Sequence, residues 1–244
     1  MHRAIILVSI IAFALLPLHA LAHHGKEYLI TSTYKTPERG SFFGVWSSSY
    51  VKSEHEEGEM VLEPGLLYGL TNRWSLELHT HHGISSDNFR TESIGLETLL
   101  RLFGPGEIQH HANFHEKEHP LSLALLFEYE KGLGDEHDAA EGRVIVGREF
   151  RSFLVVANLI AGKILEEDED FHYLYAIGIK KTLSSAFAVG LELDGGLQRG
   201  EGFSLTPGLY GAIAQGLDFR LGPTIGFGDR AEEYQLRATI LFEL

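Results

Sequence analysis

The sequence predicts an all-β fold: a transmembrane, antiparallel, up-and-down β-barrel of about 12 strands. Three observations predict it. Segment after segment alternates apolar and polar residues with period two, the mark of strands with one apolar face. The segments run mostly 9 to 13 residues, beyond the ~5–6 usual in soluble sheets and matched to the ~9–11 that a tilted strand needs to cross a bilayer. The connections alternate between very short turns and longer acidic loops, as they do around membrane barrels.

Composition sets the bounds. The chain has 244 residues, 27 of them Gly, and 20 Lys+Arg against 34 Asp+Glu, a net charge of −14. An acidic chain with no basic tract is a poor nucleic-acid binder, so no nucleic-acid partner is expected. With 0 Cys, disulfides, thiolate metal sites and cysteine nucleophiles are excluded.

Residues 1–22 read as a secretory signal peptide. His2-Arg3 is a positive start, Ala4 to Leu16 an apolar run broken only by Ser9, and Ala20-Leu21-Ala22 an A-x-A cleavage site. The run is short of the ~20 residues of a spanning helix. Cleavage near Ala22 leaves a chain destined for the bacterial outer membrane. Residues 23–40 are assigned to an N-terminal periplasmic segment. Tyr28 to Tyr34 resembles a thirteenth strand, which would leave the N-terminus on the wrong side, so it belongs in the periplasm or in the barrel mouth.

Residues 41–244 form the barrel. The strands fall at roughly 41–52, 59–70, 74–84, 92–103, 121–132, 142–150, 153–165, 171–181, 187–197, 203–213, 217–227 and 234–244. Trp74-Ser75-Leu76-Glu77-Leu78-His79 shows the alternation plainly, as does Tyr234 to Leu244. Short turns (71–73, 151–152, 184–185, 215–216) face the periplasm, and the acidic loops (53–58, 85–91, 134–141, 166–170, 198–202, 228–233) face outward. Pro64, Pro207 and Pro223 fall inside strands beside Gly, where bulges or kinks are expected. Trp74, Tyr34, Tyr68, Phe150, Phe153 and Phe187 sit near strand ends, the place of an aromatic girdle.

The apolar face carries residues such as Leu78, Phe127, Tyr173, Leu191 and Ile240, and turns to lipid because only a closed ladder satisfies the backbone there. The second face lines the lumen with Glu63, Glu77, Glu97, Arg101, Glu128, Arg143, Glu149, Lys180, Glu192, Asp194, Asp218, Arg220 and Arg237. These charges either pair and plug a narrow interior or line a wet path that favours cations. Inward glycines such as Gly95, Gly147 and Gly178 widen that interior.

Histidines cluster. His79, His81 and His82 cluster at one strand end, and His111, His115 and His119 would share a helical face in the longest connection. Imidazoles so spaced suit a divalent metal ion, the one cofactor these residues suggest. An enzyme is not expected, since no G-x-S-x-G elbow or outward Ser–His cluster occurs.

Two stretches carry a resemblance. Phe242-Glu243-Leu244 closes an alternating strand that resembles the assembly signal of Gram-negative outer-membrane barrels, although that signal usually ends on the aromatic residue. Leu62 to Leu78, with Tyr68-Gly69-Leu70-Thr71-Asn72-Arg73-Trp74-Ser75-Leu76 at its centre, resembles a hairpin of small outer-membrane barrels of the phenol-degradation (meta-pathway) transporter type. The resemblance implies a passive channel or transporter for small solutes or ions. Its partners would be outer-membrane lipid, lipopolysaccharide and the barrel-assembly machinery. The alternatives are a metal-handling barrel using its His clusters and a structural surface protein.

Overall fold

A computed structural model describes residues 27–52, 58–85, 88–104, 121–166, 169–198, 200–228 and 234–244. Its strands are β1 (Phe42–Lys52), β2 (Glu59–Thr71), β3 (Trp74–Ser85), β4 (Asn88–Phe103), β5 (Ser122–Gly132), β6 (Ala139–Phe150), β7 (Phe153–Ile164), β8 (His172–Ser184), β9 (Phe187–Gly196), β10 (Phe203–Ala214), β11 (Leu217–Phe227) and β12 (Tyr234–Glu243). Each pairs antiparallel with its sequence neighbours, and β1 meets β12 from Phe43 opposite Glu243 to Lys52 opposite Tyr234. The ladder is therefore a closed 12-strand barrel with no free edge.

Two strands begin earlier than the alternation indicates. β4 starts at Asn88, with Ser85 opposite Asn88 and His82 opposite Thr91, and β6 starts at Ala139. Past the apolar band both faces of a strand meet water. The alternation lapses there while the hydrogen-bond ladder continues.

None of the bulges expected at the prolines occurs as a register shift. Pro64 pairs with Trp46, Pro207 with Leu191 and Pro223 with Leu236 without a register shift, while on the other neighbour the pairing skips each proline, between Leu62 and Gly65 on β2 and between Leu205 and Leu209 on β10. Three of the five register shifts lie beside short turns, between Gly69 and Thr71, Thr182 and Ser184, and Ala212 and Ala214, and a fourth, between Arg101 and Phe103, lies at the same end of the barrel where β4 runs into the longest connection. The fifth separates His81 from His82. A proline removes one donor from a ladder, and a closed ring of strands absorbs that loss without inserting a residue.

The outer surface is apolar between two aromatic belts. Exposed Phe42, Trp74, Phe150, Phe153, Phe187 and Phe242 mark the end with the short turns, and Tyr50, Tyr129, Tyr173, Phe203, Phe227 and Tyr234 mark the end with the loops. Leu78, Leu96, Leu159, Ile177, Leu191, Leu209 and Ile240 lie exposed between them. Tyr234 and Phe242 are eight residues apart. That is about 27 Å along a strand, or about 20 Å along the axis at a tilt of ~40°. Tyr34 is the exception among the expected girdle residues: it is inside the barrel, 1% exposed.

Inside, the wall is not uniformly charged. Leu99, Ala124, Leu126, Ile145, Leu154 and Val156 point inward and pack with Tyr28, Tyr34 and Tyr210 into one buried cluster. A smaller cluster joins Phe43, Val45, Leu67 and Leu241 near the β1–β12 seam.

Candidate functional site

The segment assigned to the periplasm or the barrel mouth runs through the lumen from Glu27 onward; residues 23–26 lie outside the described part of the chain. It forms no strand. Its backbone groups bond to side chains of the barrel wall instead of joining a ladder. Entering at the short turns, the Thr36 hydroxyl donates to the Asn72 carbonyl (2.8 Å). Deeper in, the Ser32 amide donates to Asn158 Oδ1 (2.8 Å), the Asn158 amide returns a bond to the Ser32 carbonyl (2.9 Å), and Arg143 donates to the Ser32 hydroxyl (2.7 Å). The chain then turns back. The amides of Leu29, Ile30 and Thr31 converge on the Glu192 carboxylate at 2.7, 2.8 and 2.7 Å, and Tyr28 donates to the Leu154 carbonyl near the start of β7 (2.7 Å).

The two limbs of this loop are clamped by charge. Glu27 meets Lys35 (2.8 Å) across the loop and also pairs with Lys180, while Lys35 reaches Glu149 (2.6 Å). Burial disfavours the Lys35 ammonium, but Glu27 and Glu149 outweigh it and hold its pKa above the ordinary lysine value. Tyr28 stands edge-on to Tyr210, whose hydroxyl donates to Glu192 (2.9 Å).

Glycine makes room for the plug. A Cβ on Gly147 would lie 2.3 Å from the Tyr34 ring, and one on Gly178 would lie 2.7 Å from Tyr28. These inward glycines receive side chains, so the expectation that they widen the interior is corrected.

Among the described residues, two cavities lie beside the plug. The larger, about 280 Å³, lies against plug residues Tyr28–Thr33 on one side. On the other are Glu63, Glu77, Glu97, Glu128, Glu130 and Glu141, with His79, His81 and Arg143. Six carboxylates thus face one guanidinium, and Arg143 pairs with Glu141. The smaller cavity, about 120 Å³, opens near the short turns beside Glu27, Lys180, Asp218 and Arg220.

The residues assigned to the lumen divide accordingly. Glu63, Glu77, Glu97, Glu128 and Arg143 line the larger cavity; Lys180, Asp218 and Arg220 line the smaller one. Glu149 and Glu192 hold the plug. Arg101 is buried and donates to the Asn72 carbonyl. Asp194 on β9 and Arg237 on β12 are half-buried. His79 and His81 meet Glu128 and Glu130, whereas His111, His115 and His119 lie outside the described residues. Sequence reasoning missed the plug partners Glu27, Tyr28, Ser32 and Tyr210. One signal was available: Leu123-Ala124-Leu125-Leu126-Phe127 and Phe153-Leu154-Val155-Val156 are apolar on both faces, which a water-filled lumen does not require.

No protein-family model matches the chain, and no curated protein matches it. Among solved structures it is similar to an outer membrane channel from Pseudomonas putida F1, with a TM-score of 0.62 at 12% identity over 86% of this chain and 98% of that one. It is also similar to the KdgM porin, with a TM-score of 0.55 at 10% identity over 83% and 99%. The same porin in complex with disordered oligogalacturonate gives 0.52 at 12% identity over 82% and 99%. The likeness is one of fold, that of outer-membrane β-barrels.

Proposed function

We propose that this chain is an outer-membrane channel through which small solutes move passively down their gradients, with a preference for cations. The observation that carries the reading is the larger lumen cavity, where six glutamates outnumber one arginine inside a closed barrel with an apolar outer wall. Low-dielectric walls focus such a field and raise the local concentration of cations. The fold likeness to an outer membrane channel and to a porin supports the same class. The resemblance of the Leu62–Leu78 hairpin to meta-pathway transporters supports a small-solute barrel without naming the solute.

With the plug docked, cations are expected to gather in the larger cavity on the β1–β6 side of the lumen, beside Ser47, Glu63, Glu97 and Glu128. The test is planar-bilayer recording of the refolded chain in a KCl gradient. Reversal potentials are expected on the cation-selective side, and Glu63→Gln with Glu97→Gln should move them toward zero. Anion selectivity, or a folded barrel that passes no current, would overturn the reading.

A further inference from the structure

The larger cavity contains a second arrangement that ion passage does not require. His79 and His81 are two apart on β3, and Glu128 and Glu130 are two apart on β5, so each pair faces inward on the two-residue period. β4 lies between them, and neighbouring strands are about 4.8 Å apart, so the pairs approach from strands nearly 10 Å apart. They meet because the intervening position is a glycine. Gly95 is opposite His79 on one side and Glu130 on the other, and a Cβ there would lie 2.1 Å from His79 Nε2. The His79 ring lies over that gap and reaches Glu128.

The resulting distances suit a shared ion. His79 Nε2 is 3.0 Å from Glu128 Oε1, His81 Nε2 is 3.2 Å from Glu130 Oε1, and one ligand atom from each residue lies within 4.8 Å of all the others. Ligand atoms about 2.0–2.2 Å from a tetrahedral ion are about 3.3–3.6 Å from one another. A further residue supports the arrangement from outside. Glu63 Oε1 lies 3.4 Å from His81 Nδ1, the nitrogen left over if Nε2 binds a metal. A carboxylate there fixes the ring's tautomer and orientation, as it does behind many metal-bound imidazoles.

We propose that His79, His81, Glu128 and Glu130 form a binding site for one divalent first-row transition-metal ion, Zn²⁺-like in its ligand preference, inside the lumen. Two imidazole ligands favour a borderline transition-metal ion over the hard cations Ca²⁺ and Mg²⁺, which prefer oxygen donors, and two carboxylates balance the 2+ charge. Glu63, Glu77 and Glu97 in the same cavity keep the local field attractive to cations. The binding claim stands independently of the channel reading. Its consequence for conduction, a metal block in the larger cavity, rests on that reading.

The experiment uses the full refolded chain and Co²⁺ as an optical probe, with Zn²⁺ in competition. A folded barrel is identified by heat-modifiable gel migration. Wild type is expected to show the visible bands of tetrahedral or five-coordinate Co²⁺, displaced by one equivalent of Zn²⁺. His79→Gln with His81→Gln should abolish them, while His111→Ala with His115→Ala and His119→Ala should leave them in place. Gly95→Ala removes no ligand yet pushes His79 off its path, and should weaken binding at least 10-fold. Bands that survive in the folded His79/His81 variant, or vanish in the loop variant instead, would overturn the proposal. A barrel that binds Co²⁺ with these bands but passes no current keeps the site and sinks the channel.

Discussion

Glu192 accepts hydrogen bonds from three consecutive backbone amides and from the Tyr210 hydroxyl while 0% exposed, so one carboxylate anchors the inner end of the plug. Hydrogen bonds to a charged acceptor are worth about 1.5–3 kcal/mol each, and orphaned buried amides cost a similar amount. Glu192→Gln leaves one carbonyl oxygen for three amides and turns an NH₂ group toward them. Docking of the plug is expected to weaken by about 3 kcal/mol, roughly a 100-fold change in the docked population. Hydrogen exchange at Leu29, Ile30 and Thr31 reads this directly. Exchange as slow as in wild type would show that Glu192 is not the anchor.

At the scale of elements, the plug is the part least legible in the sequence, and the strands are the most legible. A strand whose faces meet lipid and polar lumen declares itself through its period. Residues 27–38 join no ladder, so their alternation misleads: their partners are scattered over the β2–β3 turn and β6 to β10, and each contact is made by a different kind of group. Tyr28 to Tyr34 alternates well enough to pass for a strand, yet it has no neighbouring edge to pair with in a ring already closed. The histidine pair on β3 that we propose as metal ligands was legible as two histidines two residues apart at one strand end. Its carboxylate partners were not, because pairing across a glycine on the intervening strand depends on register. Deleting residues 27–38 is expected to leave a heat-modifiable barrel, since every ladder bond is elsewhere, and to raise single-channel conductance severalfold. Conductance equal to wild type would mean that the docked plug is not what narrows the path.

At the scale of the whole molecule, two layers of different chemistry share one ladder. The outer layer is leucine- and isoleucine-rich between aromatic belts. The inner layer is apolar near β5–β7, where the plug packs, and acidic around the larger cavity. The acidic cavity is only partly shielded, so its field responds to salt. Screening lengths shrink from about 10 Å at 0.1 M to about 3 Å at 1 M. Cation selectivity is therefore expected to fall steeply between those concentrations, measured as reversal potential at a fixed concentration ratio. Selectivity indifferent to salt would point to a size filter instead of a charge filter.

The plug's return path also decides how it can be installed. Thr36 lies at the short turns, Ser32 deep in the lumen, and Tyr28 back beside the first residues of β7. Among the described residues both limbs therefore point to the same end of the barrel, and residues 27–38 and the ring of strands are topologically unlinked. A segment that ran from mouth to mouth would have to be threaded end first or be in place before the β1–β12 seam closed. A doubled-back loop needs neither. It can enter a finished barrel, or leave one, with every strand pair intact.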